Sequence, residues 1–250
     1  MEKILLTLQY DGTRYHGWQV QPNGITVQET LQNALEQVCG ARPAVTGCSR
    51  TDTGVHARRF YCTTDCPERF SVGGLLKALN AVLPDDIAVL ACTPVPSEFH
   101  PRYSALGKRY VYHIWNGRVR SPFWKGHSLY VRTPLDVPIL NATASLFLGT
   151  HDFSGFCSAG SSVEDKCRTI TRSHVERDGD MLTYTVEADG FLYNMVRILV
   201  GTLLDVHSGR LTNEDVQQAL VTGNRKLAGV TAPAHGLFLD EVFYPTEVQV

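Results

Sequence analysis

Asp52 lies in the run G-C-S-R-T-D-T-G-V-H-A, which covers residues 47–57. Glycine, serine and threonine favour a turn over the interior of a helix, so this carboxylate is predicted to lie on a loop. A carboxylate on a loop can act as a nucleophile, a general base or a metal ligand. The triplet Asp-Thr-Gly alone is typical of a plain turn, so its chemistry depends on what the rest of the chain supplies.

Arg197 lies inside the apolar run M-V-R-I-L-V, residues 195–200. A guanidinium does not lose its proton in proteins, and its burial is costly unless a carboxylate and hydrogen bonds compensate for the lost water. Two positions are therefore compatible with the sequence. The side chain either faces solvent from an amphipathic helix, or it is buried against an acidic partner.

The segment from Phe99 to Arg132 is basic and rich in aromatic residues, although the whole chain has a net charge of −2. It contains no aspartate or glutamate, and its basic residues are Arg102, Lys108, Arg109, Arg118, Arg120, Lys125 and Arg132. Basic side chains hold phosphates and aromatic rings stack on unpaired bases, so this distribution predicts a nucleic-acid surface. A solvated pair of strands with ordinary core aromatics is the alternative for most of these residues taken singly.

Composition excludes several classes of protein. The chain has 250 residues, 43% of them hydrophobic and 19% charged, which is typical of a soluble globular protein. It has neither an N-terminal signal-like segment nor an apolar run long enough to cross a bilayer, so we expect a cytoplasmic protein with no membrane partner. Seven cysteines at irregular spacings argue against a disulfide framework, and the pair Cys62 and Cys66 lacks the second pair that zinc requires. We expect no metal site.

The predicted elements alternate in an α+β pattern. Strands are predicted at Lys3–Tyr10, Ala44–Cys48, Val55–Thr64, Ile87–Thr93 and Lys108–Trp115, with helices that begin after the capping residues Thr26 and Ser71. A second set follows, with helices at Leu140–Phe147, Phe191–Val206 and Thr212–Val221, a mobile loop at His151–Asp165, a hairpin of Cys167–Arg177 with Met181–Ala188, and a last strand at Leu237–Tyr244.

This order predicts two ferredoxin- or RRM-like α+β halves that share a mostly antiparallel sheet, with an active-site cleft at the centre. The first half covers residues 1–116 and carries the Asp52 loop. The second covers residues 117–250 and carries the Arg197 helix, and together they form one catalytic unit.

Five blocks along the chain resemble, in order, the signature motifs of the tRNA pseudouridine synthases of the TruA type. They are Tyr10-Asp11-Gly12 with Gly17-Trp18-Gln19 and Thr26-Val27-Gln28, the Asp52 run, Lys108-Arg109-Tyr110-Val111-Tyr112, Phe191-x-x-Asn194-Met195-Val196-Arg197 with Gly201, and Thr231-Ala232-Pro233-Ala234-x-Gly236-Leu237. The blocks span nearly the whole chain, which makes chance similarity remote.

The resemblance implies a pseudouridine-synthase-like fold and an isomerase that converts uridine to pseudouridine at positions 38, 39 and 40 of the tRNA anticodon stem-loop. It implies a homodimer that binds tRNA and uses no cofactor. Asp52 is the implied nucleophile, attacking either the sugar or the uracil ring. Tyr110 is implied to pack on the flipped uracil, and Arg197 to pair with Asp52 and keep it ionised.

A uridine inside a stem is unreachable until it leaves the stack. By the same resemblance, Arg50 occupies the vacated space or holds the splayed backbone, and Arg58 contacts a phosphate. The segment of Phe99, His100, Pro101, Arg102 and Tyr103 matches the family's tRNA-contact region loosely.

Two other functions compete with this one. A catalytically silent RNA-binding protein on the same scaffold is disfavoured because Asp52, Tyr110 and Arg197 are all present. An aspartate-dependent hydrolase is disfavoured because the Asp52 loop lacks the second carboxylate that glycoside hydrolysis usually needs. The chain also has neither a P-loop nor a dinucleotide-binding glycine fingerprint, so no nucleotide cofactor is expected.

Overall fold

The computed structural model describes residues 2–67, 70–161 and 163–246. Met1 and residues 247–250, at the outer ends of the two predicted halves, lie outside the described residues. The chain divides into two compact units, Met1–Leu106 with Phe238–Val250, and Gly107–Leu237. Both combine helices with mostly antiparallel strands, which confirms the predicted α+β class.

Among its described residues, the first unit has two α-helices and five strands. In chain order these are β1 (Glu2–Tyr10), α1 (Val27–Cys39), β2 (Val45–Gly47), β3 (His56–Cys66), α2 (Val72–Val82), β4 (Ile87–Pro94) and, at the end of the chain, β10 (Leu237–Phe243). Strand β1 is central, antiparallel to both β3 and β4. The far edge of β3 pairs with β2 in one stretch and, in parallel, with β10 in another.

Local sequence accounts for the helices of this unit. The Thr26 side chain accepts a hydrogen bond from the Glu29 N–H at 3.3 Å, and the Ser71 side chain accepts one from the Gly74 N–H at 3.1 Å, as their positions predict. The buried face of α1 consists of Val27, Leu31, Ala34, Leu35 and Cys39. This apolar stripe holds the helix on the sheet.

The described part of the second unit has three α-helices and five strands. They are β5 (Gly107–Trp115), β6 (Leu129–Tyr130), α3 (Val137–Ser145), β7 (Gly149–Asp152), β8 (Cys167–Asp178), β9 (Met181–Ala188), α4 (Met195–His207) and α5 (Asn213–Thr222). The strand order is β5-β9-β8-β7, all antiparallel, with β6 beside β5 in parallel. Asp178 lies opposite Met181, so the predicted hairpin and its turn are confirmed.

The compact units divide after Leu106, not at residue 116 of the predicted halves. Strand β5 pairs along its whole length with β9 and therefore belongs to the second unit. Strand β10 returns to the first unit because Phe238 and Leu239 pair with β3. Both assignments depend on partners distant in sequence, which local patterns do not encode.

Two predicted segments differ from the structure. Helix α4 begins at Met195, four residues later than predicted, because Asn194 has a left-handed φ of 60° that an α-helix cannot contain. The predicted mobile loop at His151–Asp165 starts with the end of β7 and a short 3₁₀ helix, Phe153–Phe156, whose two phenylalanines are buried. The high serine and glycine content suggested a mobile loop, whereas the two buried phenylalanines anchor the start of the segment. Ser162 of this segment lies outside the described residues.

Across the part of the chain that the structure describes, none of the helices has the length and apolar character needed to cross a membrane.

Helix α4 crosses the segment 228–232 with backbone against backbone. A Cβ placed on Gly201 would lie 1.7 Å from the Val230 carbonyl oxygen, and one on Gly229 would lie 2.4 Å from the Thr202 nitrogen. Only glycine at both positions permits this approach.

We predict that Gly201→Ala destabilises the protein by roughly 1–3 kcal/mol or more, because the added methyl group overlaps backbone that must move. Gly73→Ala is the matched control: Gly73 lies in α2 and a Cβ there meets no atom within 4 Å. That change should stabilise by about 0.5–1 kcal/mol through helix propensity. Urea unfolding of both variants measures the effect, and equal stability of the two would contradict the crossing.

Candidate active site

The Asp52 loop connects β2 to β3 and is fastened through its backbone. The Val55 N–H donates to the Asp52 carbonyl at 3.1 Å, which closes the turn around the half-buried carboxylate. The Trp18 N–H donates to the Thr51 carbonyl at 3.1 Å, and the Gly54 N–H donates to the Tyr15 carbonyl at 3.2 Å. The loop predicted for this segment is therefore present, and its conformation is set by residues 10–18.

Two glycines of the first motif lie directly against this loop. A Cβ on Gly12 would be 2.0 Å from the Val55 carbonyl oxygen. A Cβ on Gly17 would be 2.3 Å from the Thr51 carbonyl oxygen, and Gly17 also has a φ of +81°. The first motif thus supports the second, a relationship that the sequence analysis did not predict.

Side chains of the same region complete the support. The Tyr10 hydroxyl and the Thr51 hydroxyl lie 2.8 Å apart in a buried hydrogen bond. The His56 side chain is 1% exposed, and its Nδ1 lies 3.0 Å from an Asp11 carboxylate oxygen. Trp18, which the sequence left open as either a core residue or a contact surface, is buried with its ring 4.0 Å from that of Phe60.

The two arginines near Asp52 are exposed, and one of them has an ion pair. Arg50 lies on the loop with its side chain in solvent. Arg58 on β3 places Nη1 3.0 Å from an Asp240 oxygen and its guanidinium 5.3 Å from the centre of the Phe238 ring. A phosphate at Arg58 would therefore compete with Asp240, an acid contributed by the far end of the chain.

The predicted contact segment Phe99–Tyr103 divides into buried and exposed residues. Phe99 and Pro101 are buried: the Phe99 ring lies 5.4 Å from the ring of Tyr244, whose hydroxyl donates to the Pro101 carbonyl at 2.6 Å. These two residues hold the segment in place and offer little surface to a ligand.

The other three residues of that segment form an outward-facing turn. The His100 Nδ1 accepts hydrogen bonds from the backbone N–H groups of Arg102 at 3.1 Å and Tyr103 at 3.3 Å. Tyr103 is 78% exposed. The centre of its ring lies 4.4 Å from the centre of the His100 ring and 5.8 Å from the Arg102 guanidinium carbon. An aromatic ring beside a cation on a rigid turn is suited to an unpaired base and its phosphate.

In the second unit, Tyr110 lies on β5 and is 6% exposed. Its ring meets that of Phe191 edge to face at 5.0 Å. Tyr112, on the same side of the strand, donates its hydroxyl to the Pro233 carbonyl at 2.7 Å, and burial raises the pKa of that hydroxyl above its usual range. The central tyrosine motif therefore packs against both later motifs.

Arg197 lies in the first turn of α4, half-buried, with its guanidinium plane fixed within the unit. Nε donates to the Ala232 carbonyl at 2.7 Å and Nη1 donates to the Asn194 side-chain oxygen at 2.8 Å. The Ala232 N–H returns a hydrogen bond to the Arg197 carbonyl at 3.0 Å. The third motif and the closing signature thus form one structure, while the ion pair with Asp52 stays a prediction.

Sequence reasoning missed the roles of Asn194 and Ala232. The signal for Asn194 was available, because a residue three positions before Arg197 lies on the same face at the start of a helix. Ala232 acts through its backbone carbonyl, so its side chain gave no indication.

His235 of the closing signature is a further group near Arg197 that the sequence did not single out. Its pKa lies below its usual value, chiefly because burial disfavours the imidazolium; the positive charges of Arg197 and His127 act in the same direction, and a backbone hydrogen bond with Ser128 opposes them.

The chain is similar over nearly its whole length to known proteins. The sequence pattern of the tRNA pseudouridine synthase family matches residues 7–104 and 143–245. A protein named tRNA pseudouridine synthase A from Acetivibrio thermocellus is 44% identical over 249 residues, covering 98% of this chain and 100% of the relative. One of the same name from Halalkalibacterium halodurans is 45% identical over 238 residues, covering 95% and 90%.

A solved chain from the crystal structure of a Cbf5-Nop10-Gar1 complex aligns with 99% of this chain and 60% of its own length, at a TM-score of 0.37 and 12% identity. That similarity is too low to carry an argument. The family match includes Asp52 and Arg197, whereas Tyr110 lies between the two matched ranges. With matches over most of its length, the chain belongs to the tRNA pseudouridine synthase family.

The lowered pKa of His235 predicts a pH dependence of stability. The unfolded chain, with a histidine pKa of about 6.5, binds a proton more readily than the folded chain. This contribution to stability is therefore complete above about pH 6.5 and is lost as the pH falls further.

Urea unfolding between about pH 7.5 and about pH 5.5 should show a smaller loss of stability in His235→Gln than in the wild type. His174→Gln, at an exposed position on β8, is the control and should behave as the wild type does. An identical pH dependence in all three proteins would exclude His235 as the source.

Proposed function

We propose that this chain converts uridine to pseudouridine in tRNA, at positions 38, 39 and 40 of the anticodon stem-loop. The observation that carries the proposal is the full-length similarity to proteins named tRNA pseudouridine synthase A, within which Asp52 and Arg197 fall in matched segments. The exposed basic residues of the segment Phe99–Arg132 support an RNA substrate, since Arg102, Arg118, Arg120, Lys125 and Arg132 all face solvent.

The reaction rearranges atoms that the substrate already contains. The bond between uracil N1 and the sugar breaks, the base rotates, and a bond forms between C5 and the same sugar carbon while the C5 proton is lost and N1 gains one. Since substrate and product have the same composition, the balance requires no redox partner, nucleotide or other cofactor.

We assign Asp52 as the nucleophile, attacking the sugar or the uracil ring. Its support is the loop itself, which the Val55 N–H to Asp52 carbonyl hydrogen bond closes beside a half-buried Asp52. We assign Arg197 as the partner that keeps this carboxylate ionised, because an opposite charge stabilises the charged form. Tyr110 packs on the uracil and assists removal of the C5 proton.

Recognition of the flipped base is assigned to exposed side chains. Arg50 holds the space that the uridine vacates, and Arg58 contacts a phosphate after exchanging its partner Asp240. Within the segment Phe99–Tyr103, we assign direct contact to Arg102 and Tyr103. Phe99, His100 and Pro101 act by holding that turn.

The finer architecture is also a proposal. The β-α-β-β-α-β order of β1 to β4 supports a ferredoxin-like first half. The family resemblance supports a shared sheet with a central cleft, a homodimer, and a cytoplasmic location. Sedimentation equilibrium of the purified protein would give the mass of the assembly, and a monomer at micromolar concentration would reject the dimer.

Purified protein incubated with unmodified tRNA and nothing else should produce pseudouridine in the anticodon arm, mapped base by base. Asp52→Asn should lower turnover by about a thousandfold or more, equivalent to ~4 kcal/mol of lost transition-state stabilisation, because an amide is a poor nucleophile. Binding of tRNA should persist in the variant, since the phosphate contacts lie elsewhere.

Asp65→Asn is the control, an exposed aspartate on β3 of the same unit, and should retain full turnover. Substantial turnover by Asp52→Asn would reject the nucleophile assignment. Wild-type protein that binds tRNA but makes no pseudouridine would instead favour the silent RNA-binding protein.

Arg197→Met should reduce turnover, because Asp52 loses its proposed partner, and should lower stability by about 1–3 kcal/mol, because the Ala232 carbonyl and the Asn194 side-chain oxygen lose their donor. Arg197→Lys should restore little, because one ammonium cannot replace the Nε and Nη1 hydrogen bonds to Ala232 and Asn194.

Arg172→Met is the control, since that exposed arginine lies 3.7 Å from Glu187 and should change stability by less than about 0.5 kcal/mol. Thermal melts and single-turnover assays measure both quantities. Wild-type turnover in Arg197→Met would remove the ion pair from the mechanism.

A further inference from the structure

Two buried polar side chains of α4 have no role in the mechanism described so far. Thr202 is 0% exposed and Asp205 is 5% exposed. The Thr202 hydroxyl donates to the Ile198 carbonyl at 2.8 Å and accepts the Gly229 N–H at 2.9 Å. One Asp205 oxygen accepts the Val230 N–H at 3.1 Å, and the other accepts from Arg210 Nε at 2.8 Å.

Backbone N–H groups of three residues in the segment 229–232 donate hydrogen bonds to α4. Gly229 is held by Thr202, Val230 by Asp205, and Ala232 by the backbone of Arg197. The segment ends at the Ala232 carbonyl, which accepts the Arg197 Nε hydrogen bond. The position of that acceptor therefore depends on anchors one and two turns further along the same helix.

We propose that Thr202 and Asp205 are positioning residues for Arg197. They act through the backbone of residues 229–232 and so orient the guanidinium for the isomerisation. The catalytic part of this inference rests on the proposed function; the structural part, which concerns the Arg197 Nε–H, does not.

The backbones of α4 and of residues 228–232 are in direct contact, since a Cβ at Gly229 would lie 2.4 Å from the Thr202 nitrogen. In Thr202→Val a methyl group fills the space of the hydroxyl, so no water molecule takes its place as the acceptor of the Gly229 N–H. Without the Thr202 hydroxyl, the buried Gly229 N–H has to move away from the helix to reach water. That displacement carries the Ala232 carbonyl with it and releases the Arg197 side chain from its fixed plane.

The first test is Thr202→Val, which keeps the shape of the side chain and removes the hydroxyl. Its matched control is Thr143→Val on α3, at a threonine that is also 0% exposed and whose hydroxyl lies 2.8 Å from the Asn213 side-chain oxygen. Both variants remove a threonine hydroxyl that makes two hydrogen bonds in the same unit, since the Thr143 hydroxyl also donates to the Ile139 carbonyl at 3.4 Å. Only the Thr202 hydroxyl bonds to the segment 229–232.

At a temperature where both variants are folded, Thr202→Val should lower kcat about tenfold or more while KM for tRNA stays within about twofold of the wild type. Thr143→Val should retain the wild-type kcat. Thr202→Ser, which restores the hydroxyl, should recover most of the lost turnover. Equal kcat in the two valine variants would overturn the proposal.

The second test does not require activity. The ¹⁵N NMR signal of the Arg197 Nε–H, assigned by its disappearance in Arg197→Lys, should exchange slowly with solvent in the wild type. Exchange should accelerate about tenfold or more in Thr202→Val or, should that variant not fold, in Asp205→Ala, which removes the acceptor of the Val230 N–H. It should stay unchanged in Thr143→Val.

Unchanged exchange in Thr202→Val or Asp205→Ala would overturn the positioning role. If the wild type made no pseudouridine, the proposed function would fail, and the exchange rates would still decide whether these residues hold Arg197.

Discussion

The Asp52 loop is held by backbone contacts that leave no room for a side chain at Gly12 and Gly17. The rest of the first unit can be understood from this constraint. The first motif has to run directly beneath the loop, Trp18 has to fill the space beside Phe60, and the buried hydrogen bond between Tyr10 and Thr51 has to close the gap at the strand end. For the nucleophile role proposed for Asp52, a fixed loop matters because misplacement by about 1 Å can lower a rate a hundredfold.

The second unit uses the same device for its own charged residue. Gly201 and Gly229 allow α4 and the closing segment to touch through their backbones, and the carbonyl of Ala232 then fixes Arg197. In this chain, part of each motif therefore serves to support a charged side chain. Glycines, an asparagine at a helix start and a backbone carbonyl determine where two ionic side chains lie, and hydrophobic burial in each unit supplies the stability that holds them.

The features that local sequence patterns predicted correctly are those that short-range interactions control. The caps at Thr26 and Ser71, the hairpin after Asp178 and the loop around Asp52 all follow from short-range backbone preferences, and the structure confirms them. The late start of α4 was missed because it depends on one left-handed residue, Asn194. The pairing of β10 with β3 and the ion pair of Arg58 with Asp240 were not predicted. Both join residues that are far apart in the sequence, 182 positions for Arg58 and Asp240. The candidate site residues could be chosen from the sequence by their types. The backbone contacts that hold them in place could not.

The central claim is that backbone packing beneath the loop places Asp52 for reaction. Single-turnover pseudouridine formation by Gly17→Ala, compared with Gly179→Ala, tests it most directly. Both glycines have positive φ, +81° and +55°, but a Cβ at Gly17 overlaps the Thr51 carbonyl whereas one at Gly179 meets nothing within 4 Å. The account predicts that Gly17→Ala, assayed while folded, loses about a hundredfold or more in rate and that Gly179→Ala stays within about twofold of the wild type. A Gly17→Ala protein that turns over at the wild-type rate would contradict it.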